Sequence, residues 1–248
     1  MTDFLIDPHQ ADVAGTPLIL AVRQGGGGPR LTETHHHARG QLLGAMHGLV
    51  TVGTELGQWV VPAIHCVWLP PHHPHSFRSH GAFDGWSVYV AEEACARLPE
   101  APCTMRSSGL LREAVLRAVQ REPSPHLAAV IFDEIRTLPR ERLGLPMPKD
   151  SRLAKIARAV LADLADNRRL EEWVADAGAS ARTVTRLFPR ETGFSFTEWR
   201  QQARLMRALE LLSAGEPVTA VAFELGYETV SAFIALFRRH FGVTPGRY

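Results

Sequence analysis

A helical unit occurs twice in the last third of this chain. Aligned on Phe188 and Phe237, the run Trp173–Gly178 followed by Ser180–Phe188 matches Val221–Gly226 followed by Thr229–Phe237. Each copy reaches a glycine five residues after its Phe, at Gly193 and Gly242. Each unit reads as a short apolar helix, a Gly that ends it in the left-handed conformation, a Ser or Thr N-cap and a second amphipathic helix. That pattern predicts a helix-turn-helix, present twice. A chain that reads DNA at two places has an obvious use for the duplication.

The 248 residues, 45% of them hydrophobic, suffice for two modest domains, each with its own core. No apolar run approaches the roughly 18 residues of a membrane helix, and Met1–Gln10 lacks the basic start and apolar core of a secretory signal, so the cytoplasm is the expected compartment and no membrane partner is expected. Cys66, Cys95 and Cys103 are odd in number and form no C-x-x-C pair, which predicts reduced thiols rather than a disulfide framework. Charge is informative only when divided. Residues 1–150 carry a balance of minus 2 and residues 151–248 a balance of plus 3, so the basic excess lies with the repeat. It is small, and the placement of individual cations must matter more than their sum. All but Lys149 and Lys155 are Arg, the side chain able to bind guanine edges bidentately as well as phosphates.

Residues 143–150, with Pro146 and Pro148 and no helical period, read as a linker. From Thr16 to Val90 the pattern is β: runs at Leu18–Val22, Gln41–Ala45, His47–Thr54, Gln58–Val61, Cys66–Leu69, His75–Arg78 and Trp86–Val90 are broken by turn residues, and Thr54–Gly57 reads as a hairpin loop. Many short strands at this spacing predict a barrel or jelly roll. The glycine run Gly25–Gly28 lacks the Gly-Lys-Ser/Thr ending of a phosphate loop and reads as a surface loop. Two amphipathic helices are expected over Ser108–Gln120 and His126–Leu138, either capping the N-terminal core or pairing with a second subunit; pairing is the favoured expectation. The predicted fold is thus α+β. Residues 1–105 form an effector-sensing β domain, 106–142 a helical dimerisation region, 143–150 the linker and 151–248 an all-α DNA-binding domain.

The two helical units joined by Thr197–Leu212, with Gly226-Tyr227-Glu228-Thr229, Ser231-Ala232-Phe233, Phe237-Arg238-Arg239 and the ending Phe241–Tyr248, resemble the AraC/XylS family of bacterial transcription regulators over Ser151–Tyr248. The segment His35-x-His37, Arg39–Leu42, Leu69-Pro70-Pro71 and Pro74-His75 is similar to the two motifs of the cupin-type sensor domains found in many such regulators. The resemblance implies a sequence-specific regulator that binds double-stranded promoter DNA, with RNA polymerase as a further partner, a small-molecule or metal effector and a homodimeric state. Taken as one helix, Thr197–Leu212 spans roughly 24 Å at about 1.5 Å per residue, enough to hold two units near one DNA turn apart, about 34 Å.

The two recognition helices differ in chemistry. In the first, Ser180 caps, Val184, Leu187 and Phe188 face inward, and Arg182, Thr185 and Arg186 lie on the opposite face with Arg190 a turn later. In the second, Thr229 caps, and the positions that the resemblance places in the groove hold Val230, Ser231, Ile234 and Ala235, which suit thymine methyls or close backbone approach. Arg238 and Arg239 are placed for phosphates. The first helix is expected to specify and the second to anchor.

Nine of the twelve histidines lie between His35 and His80. By the cupin resemblance the metal positions are His35, His37, Gln41 and His75, where Gln41 stands in place of the usual Glu and His72 in place of the usual turn Gly. Three imidazoles suit Zn, Ni, Cu or Fe(II) as a candidate cofactor, while loss of the anionic ligand weighs against it. His36, His73 and His80 are expected at the surface. Trp59, Trp68 and Trp86 are candidates to line an apolar effector pocket, with core packing as their commoner role. No nucleophile–base arrangement stands out. The alternative to a regulator without enzymatic activity is a metal-dependent cupin enzyme or metal sensor fused to DNA-binding helices.

Overall fold

The structure is a computed structural model in which residues 17–26, 28, 30–141 and 144–247 are described; Thr16, Leu143, Tyr248 and the Met1–Gln10 segment lie outside them. The chain divides into two units, Met1–Gly144 and Leu145–Tyr248.

The first unit is an antiparallel sheet with strand order β1 (Ile19–Gly26), β6 (His75–Val90), β3 (Gly40–Thr54), β5 (His65–Leu69), β7 (Cys103–Arg106), β8 (Arg140–Glu141). β2 (Leu31–His35) pairs with β6, and β4 (Gly57–Pro62) pairs with β3. Among the described residues the sheet does not close on itself, so the barrel expected from strand spacing is an open, bent sheet. Its bend comes from β3: bulges either side of His47 let residues 41–44 pair with β5 while residues 49–54 pair with β4. Two runs that sequence spacing separates at Met46 are therefore one strand, and β6 likewise absorbs two predicted runs. Gly25 and Gly26, expected in a loop, extend β1 opposite Asp84 and Phe83. The expected hairpin turn holds, with Thr54 opposite Gly57.

Each sheet face buries a different core. Leu43, Val50, Val52, Trp59, Val61, Val67, Leu69, Phe77 and Phe83 pack on the inner face. Leu42, Trp68, Trp86, Val88 and Val90 pack on the other face beneath α1 (Gly109–Gln120) and α2 (Pro125–Thr137). Ser108 and Ser124 cap these helices, accepting from the Leu111 and Leu127 amides. Their apolar residues, including Leu111, Val115, Ile131 and Ile135, are buried against the sheet. The faces on which subunit pairing was expected are thus occupied by the chain's own core.

The helical unit runs α3 (Ser151–Ala162), α4 (Leu170–Ala177), α5 (Ala181–Thr192), α6 (Phe196–Ser213), α7 (Val218–Glu224) and α8 (Val230–Phe241). Gly178, Gly193 and Gly242 terminate α4, α5 and α8 with φ of 65°, 77° and 77°, where the repeat places them. Ser180 accepts from the Thr183 amide at 3.1 Å and Thr229 from the Ala232 amide at 3.2 Å. Phe188 packs edge-on against Phe196 and Trp199, both at 5.6 Å, and Phe237 against Phe233 at 5.7 Å, so each marker Phe is the centre of its own small core. The segment that composition reads as a linker is held down: within the helical unit Trp199 Nε1 donates to the Pro146 carbonyl at 2.7 Å, and Glu191 accepts from the Lys149 and Asp150 amides at 2.7 and 3.0 Å.

Candidate functional site

Several arginines of the helical unit are engaged within it. Arg152 is paired with Asp150, Arg168 with Asp166 and Asp176, and Arg207 with Glu210 and Glu224. Arg204 is buried, donating to the Leu164 carbonyl at 2.7 Å and to Asn167 Oδ1 at 2.8 Å, with its guanidinium 5.6 Å from the Tyr227 ring centroid. The guanidinium groups of those cations are engaged within the unit. Arg182, Arg186 and Arg190 on α5 and Arg238 and Arg239 on α8 are all exposed. Spacing of four residues puts the α5 trio on one helical stripe. Val184 and Phe188, on the other side of α5, are fully buried, so the cationic stripe faces solvent.

The hydroxyls near these stripes are mostly engaged. Ser180 and Thr229 serve as caps, and Thr185 Oγ1 donates to the Ala181 carbonyl at 2.9 Å. These bonds shape the helix starts. On α8, Ser231 and Ala235 are exposed and Val230 and Ile234 half-buried. The two solvent faces therefore differ as their sequences do: guanidinium forks on α5, and on α8 small and apolar side chains followed by a basic end. Sequence reasoning missed the network beneath them. Asn167 donates to the Gly226 carbonyl at 2.8 Å, and Gly226 has φ 76° with Ala165 O only 2.5 Å from where a Cβ would stand. Any larger residue there collides with the loop before α4 as well as straining the backbone.

The second cluster lies in the sheet unit. β2 ends at His35, the chain turns through His37, and β6 begins at His75 opposite His35. One ring nitrogen of each lies within 4.8 Å of those of the other two. Ring centroids are 4.4 Å apart for His35 and His75 and 5.1 Å for His37 and His75. Each Nδ1–H donates to a backbone carbonyl: His35 to Glu33 at 2.9 Å, His37 to Arg39 at 2.7 Å, His75 to His73 at 2.8 Å. That assignment leaves the lone pair of each neutral ring on Nε2. Burial pushes His75 down to about 3, so this ring stays neutral at physiological pH. Gln41 stands beside His37, its Oε1 3.3 Å from Nε2, and its amide donates to Ser87 Oγ at 3.0 Å and Tyr89 OH at 3.2 Å.

The aromatic candidates separate. Trp59 lies on the inner face. Trp68 and Trp86 belong to the core under α1 and α2, where Trp68 donates to the Pro99 carbonyl at 2.8 Å and fills the space left by Gly40, and Trp86 that left by Gly44. They do not line one pocket with Trp59, because the two groups belong to cores on opposite faces of the sheet. His36 is exposed as expected, whereas His73 and His80 are half-buried, His80 within 2.9 Å of Thr51 Oγ1.

Residues 173–248 match a family described as a helix-turn-helix domain, and residues 17–183 one described as an AraC-like ligand binding domain. The HTH-type transcriptional regulator NimR of Escherichia coli is 34% identical over 88% of this chain and 82% of its own length. The HTH-type transcriptional regulator RipA of Corynebacterium glutamicum is 36% identical over 50% of this chain and 36% of its own. Among solved structures, ToxT from Vibrio cholerae aligns over 93% of this chain and 96% of its own with TM-score 0.41 and 12% identity.

Proposed function

The chain belongs to the AraC family of helix-turn-helix transcriptional regulators, with an AraC-like ligand-binding domain ahead of its DNA-binding helices, and from that premise we propose that an effector held on the inner face of the sheet unit controls how the helical unit occupies a promoter. In this reading α5 specifies the site and α8 anchors it. The observation that carries the division is the exposed Arg182, Arg186 and Arg190 stripe on α5, unpaired among the described residues, set against the Val230, Ser231, Ile234 and Ala235 face of α8. Promoter DNA, RNA polymerase and a second copy of the chain are the partners it implies, and the cytoplasm is its place of action. No helix among the described residues is long and apolar enough to cross a membrane. The test is a mobility shift on the promoter region beside the protein's own gene. Salt-sensitive, sequence-specific retardation is expected; its absence with the full-length protein would sink the proposal.

Arg239 is exposed near the C-terminal end of α8, where a contact to phosphate releases counterions without reading sequence. Arg239→Ala is expected to weaken binding to specific and unrelated duplexes alike and to flatten the dependence of log affinity on log salt by about one unit. Titrations at several salt concentrations measure it. An altered base preference would reassign Arg239 to base reading.

A second reading concerns the effector, and the ring tautomers favour it: it is a divalent ion held by His35, His37 and His75 through Nε2. Backbone acceptors on the far nitrogen are the outer-shell arrangement that orients metal-ligating imidazoles. Gln41 would supply a neutral oxygen in place of a carboxylate, so affinity would be modest. Purified without a His tag, the protein is then expected to carry about one Zn, Ni, Cu or Fe per chain, lost in the His35→Ala plus His75→Ala variant. Elemental analysis finding no metal, together with unchanged thermal stability on adding Zn, Ni or Cu, would leave an organic effector.

A further inference from the structure

His65 opens β5 and is 5% exposed, yet its Nδ1 has no hydrogen-bond partner among the described residues. The ring is fixed from its other side, where Nε2–H donates to Glu141 Oε2 at 2.7 Å. A carboxylate only accepts, so the proton of the neutral ring resides on Nε2 and the lone pair on Nδ1. Burial lowers the pKa of His65 and keeps it in that neutral form near neutral pH, although Glu141 pulls the other way. Glu141 is itself held. Thr104 Oγ1 donates to its carbonyl at 2.6 Å, and it sits opposite Thr104 in the β7–β8 pair. The bond to Glu141 thus presents the His65 ring with Nδ1 as its acceptor.

Its position points to a ligand. Alternation along β5 puts Val67 and Leu69 on the same side of the strand as His65, and both belong to the inner-face core with Leu43 and Trp59. Beyond Glu141, Gly144 closes over the Trp59 indole, with Nε1 only 2.4 Å from where a Cβ would stand. A buried acceptor with no partner calls for an explanation, and a bound group that donates to it is one.

We propose that His65, oriented by Glu141, is a recognition residue of the ligand-binding domain, accepting at Nδ1 a hydrogen bond from an O–H or N–H group on a small, otherwise apolar effector. This rests on the reading that the sheet unit takes a small-molecule effector and adds the chemistry that the effector must present. A group that only accepts, such as a carboxylate, finds no partner in the Nδ1 lone pair. A neutral donor meets a preformed partner.

The test uses full-length protein with 15N-labelled histidine and two probe pairs, indole against 1-methylindole and phenol against anisole. The donor-bearing member of at least one pair is expected to bind about ten-fold more tightly or better than its methylated twin and to move the His65 Nδ1 resonance toward the protonated range. His65→Gln, whose amide nitrogen can still donate to Glu141 and whose remaining acceptor oxygen is not held in the fixed ring position of Nδ1, is expected to lose most of that preference while keeping its thermal unfolding transition. A free-protein Nδ1 resonance already at the hydrogen-bonded position and unmoved by every probe would mean a trapped water and overturn the proposal. So would a preference unchanged in His65→Gln, or no preference within either pair. Promoter binding by the same His65→Gln preparation is measured alongside. Its loss in wild type and variant alike would strike at the regulator reading, whereas its retention with no probe preference would strike only at His65.

Discussion

Arg186→Ala is expected to lower affinity for the cognate promoter by about 1–3 kcal/mol, roughly five-fold to more than a hundred-fold, and to relax base preference at one position of the site. The expectation comes from where Arg186 stands. α5 begins at a Ser180 cap, buries Val184 and Phe188, and leaves Arg186 exposed between Arg182 and Arg190 on one stripe. Among the described residues its guanidinium is not spent on an ion pair, as those of Arg152, Arg168 and Arg207 are, so its donors remain for a base edge. A bidentate contact to guanine O6 and N7 discriminates among bases because no other base pair offers that pair of acceptors in the major groove. Binding should be measured against the cognate duplex and single-base variants in one buffer at fixed salt. If Arg186→Ala weakens all duplexes equally while Arg239→Ala changes base preference, the roles of α5 and α8 are exchanged.

Phe237→Ala is expected to destabilise the protein by about 3–5 kcal/mol, the range for emptying a fully buried aromatic site. Phe237 is 0% exposed and contacts both Phe233 and Phe241, the latter at 4.6 Å between ring centroids. The core it serves is that of one small helical pair, so few neighbours can move in to fill the cavity. A loss of that size is a large share of the roughly 5–15 kcal/mol that holds a typical domain folded. Phe223→Ala is the matched control. Phe223 belongs to the same repeat copy but is 58% exposed, and its removal should change stability by no more than about 0.5 kcal/mol. Urea unfolding of the two full-length variants, followed by circular dichroism, measures both. Equal losses would mean that the repeat does not mark the core as argued.

Nearly all of the helical unit is legible in the amino-acid sequence, because its signals are local. A cap acts on an amide three residues on, an αL glycine ends the helix that precedes it, and a buried stripe recurs every three or four residues. Ser180, Thr229, Gly178 and Gly193 behave as that spacing requires. Local signals also place most strands and the Thr54–Gly57 turn. They do not reveal that 41–45 and 47–54 are one strand, because a bulge costs a single residue of register and leaves little trace in hydropathy. β2 and β7 escape for a related reason: each is short and is defined by pairing with a distant strand, β2 with β6 and β7 with β5.

By itself the sequence determined that the chain carries two helix-turn-helix units with unlike solvent faces and a strand-rich domain dense in histidine. The tertiary structure alone decided which arginines are engaged and which tryptophans share a face, and it brings together the three histidines that the cupin resemblance names. Arg204 and Arg186 look alike in sequence, and burial against Leu164 and Asn167 separates them. Trp59 and Trp68 are both strand tryptophans, and the register in which each strand pairs with β3, Trp59 opposite Val52 and Trp68 opposite Leu42, sends them to opposite cores. His75 reaches His35 across a β2–β6 pairing, and Glu141 reaches His65 from 76 residues away. Helical order is settled by interactions within a turn or two of chain. Sheet order is settled by which distant strands pair and in what register, so the local sequence does not carry it.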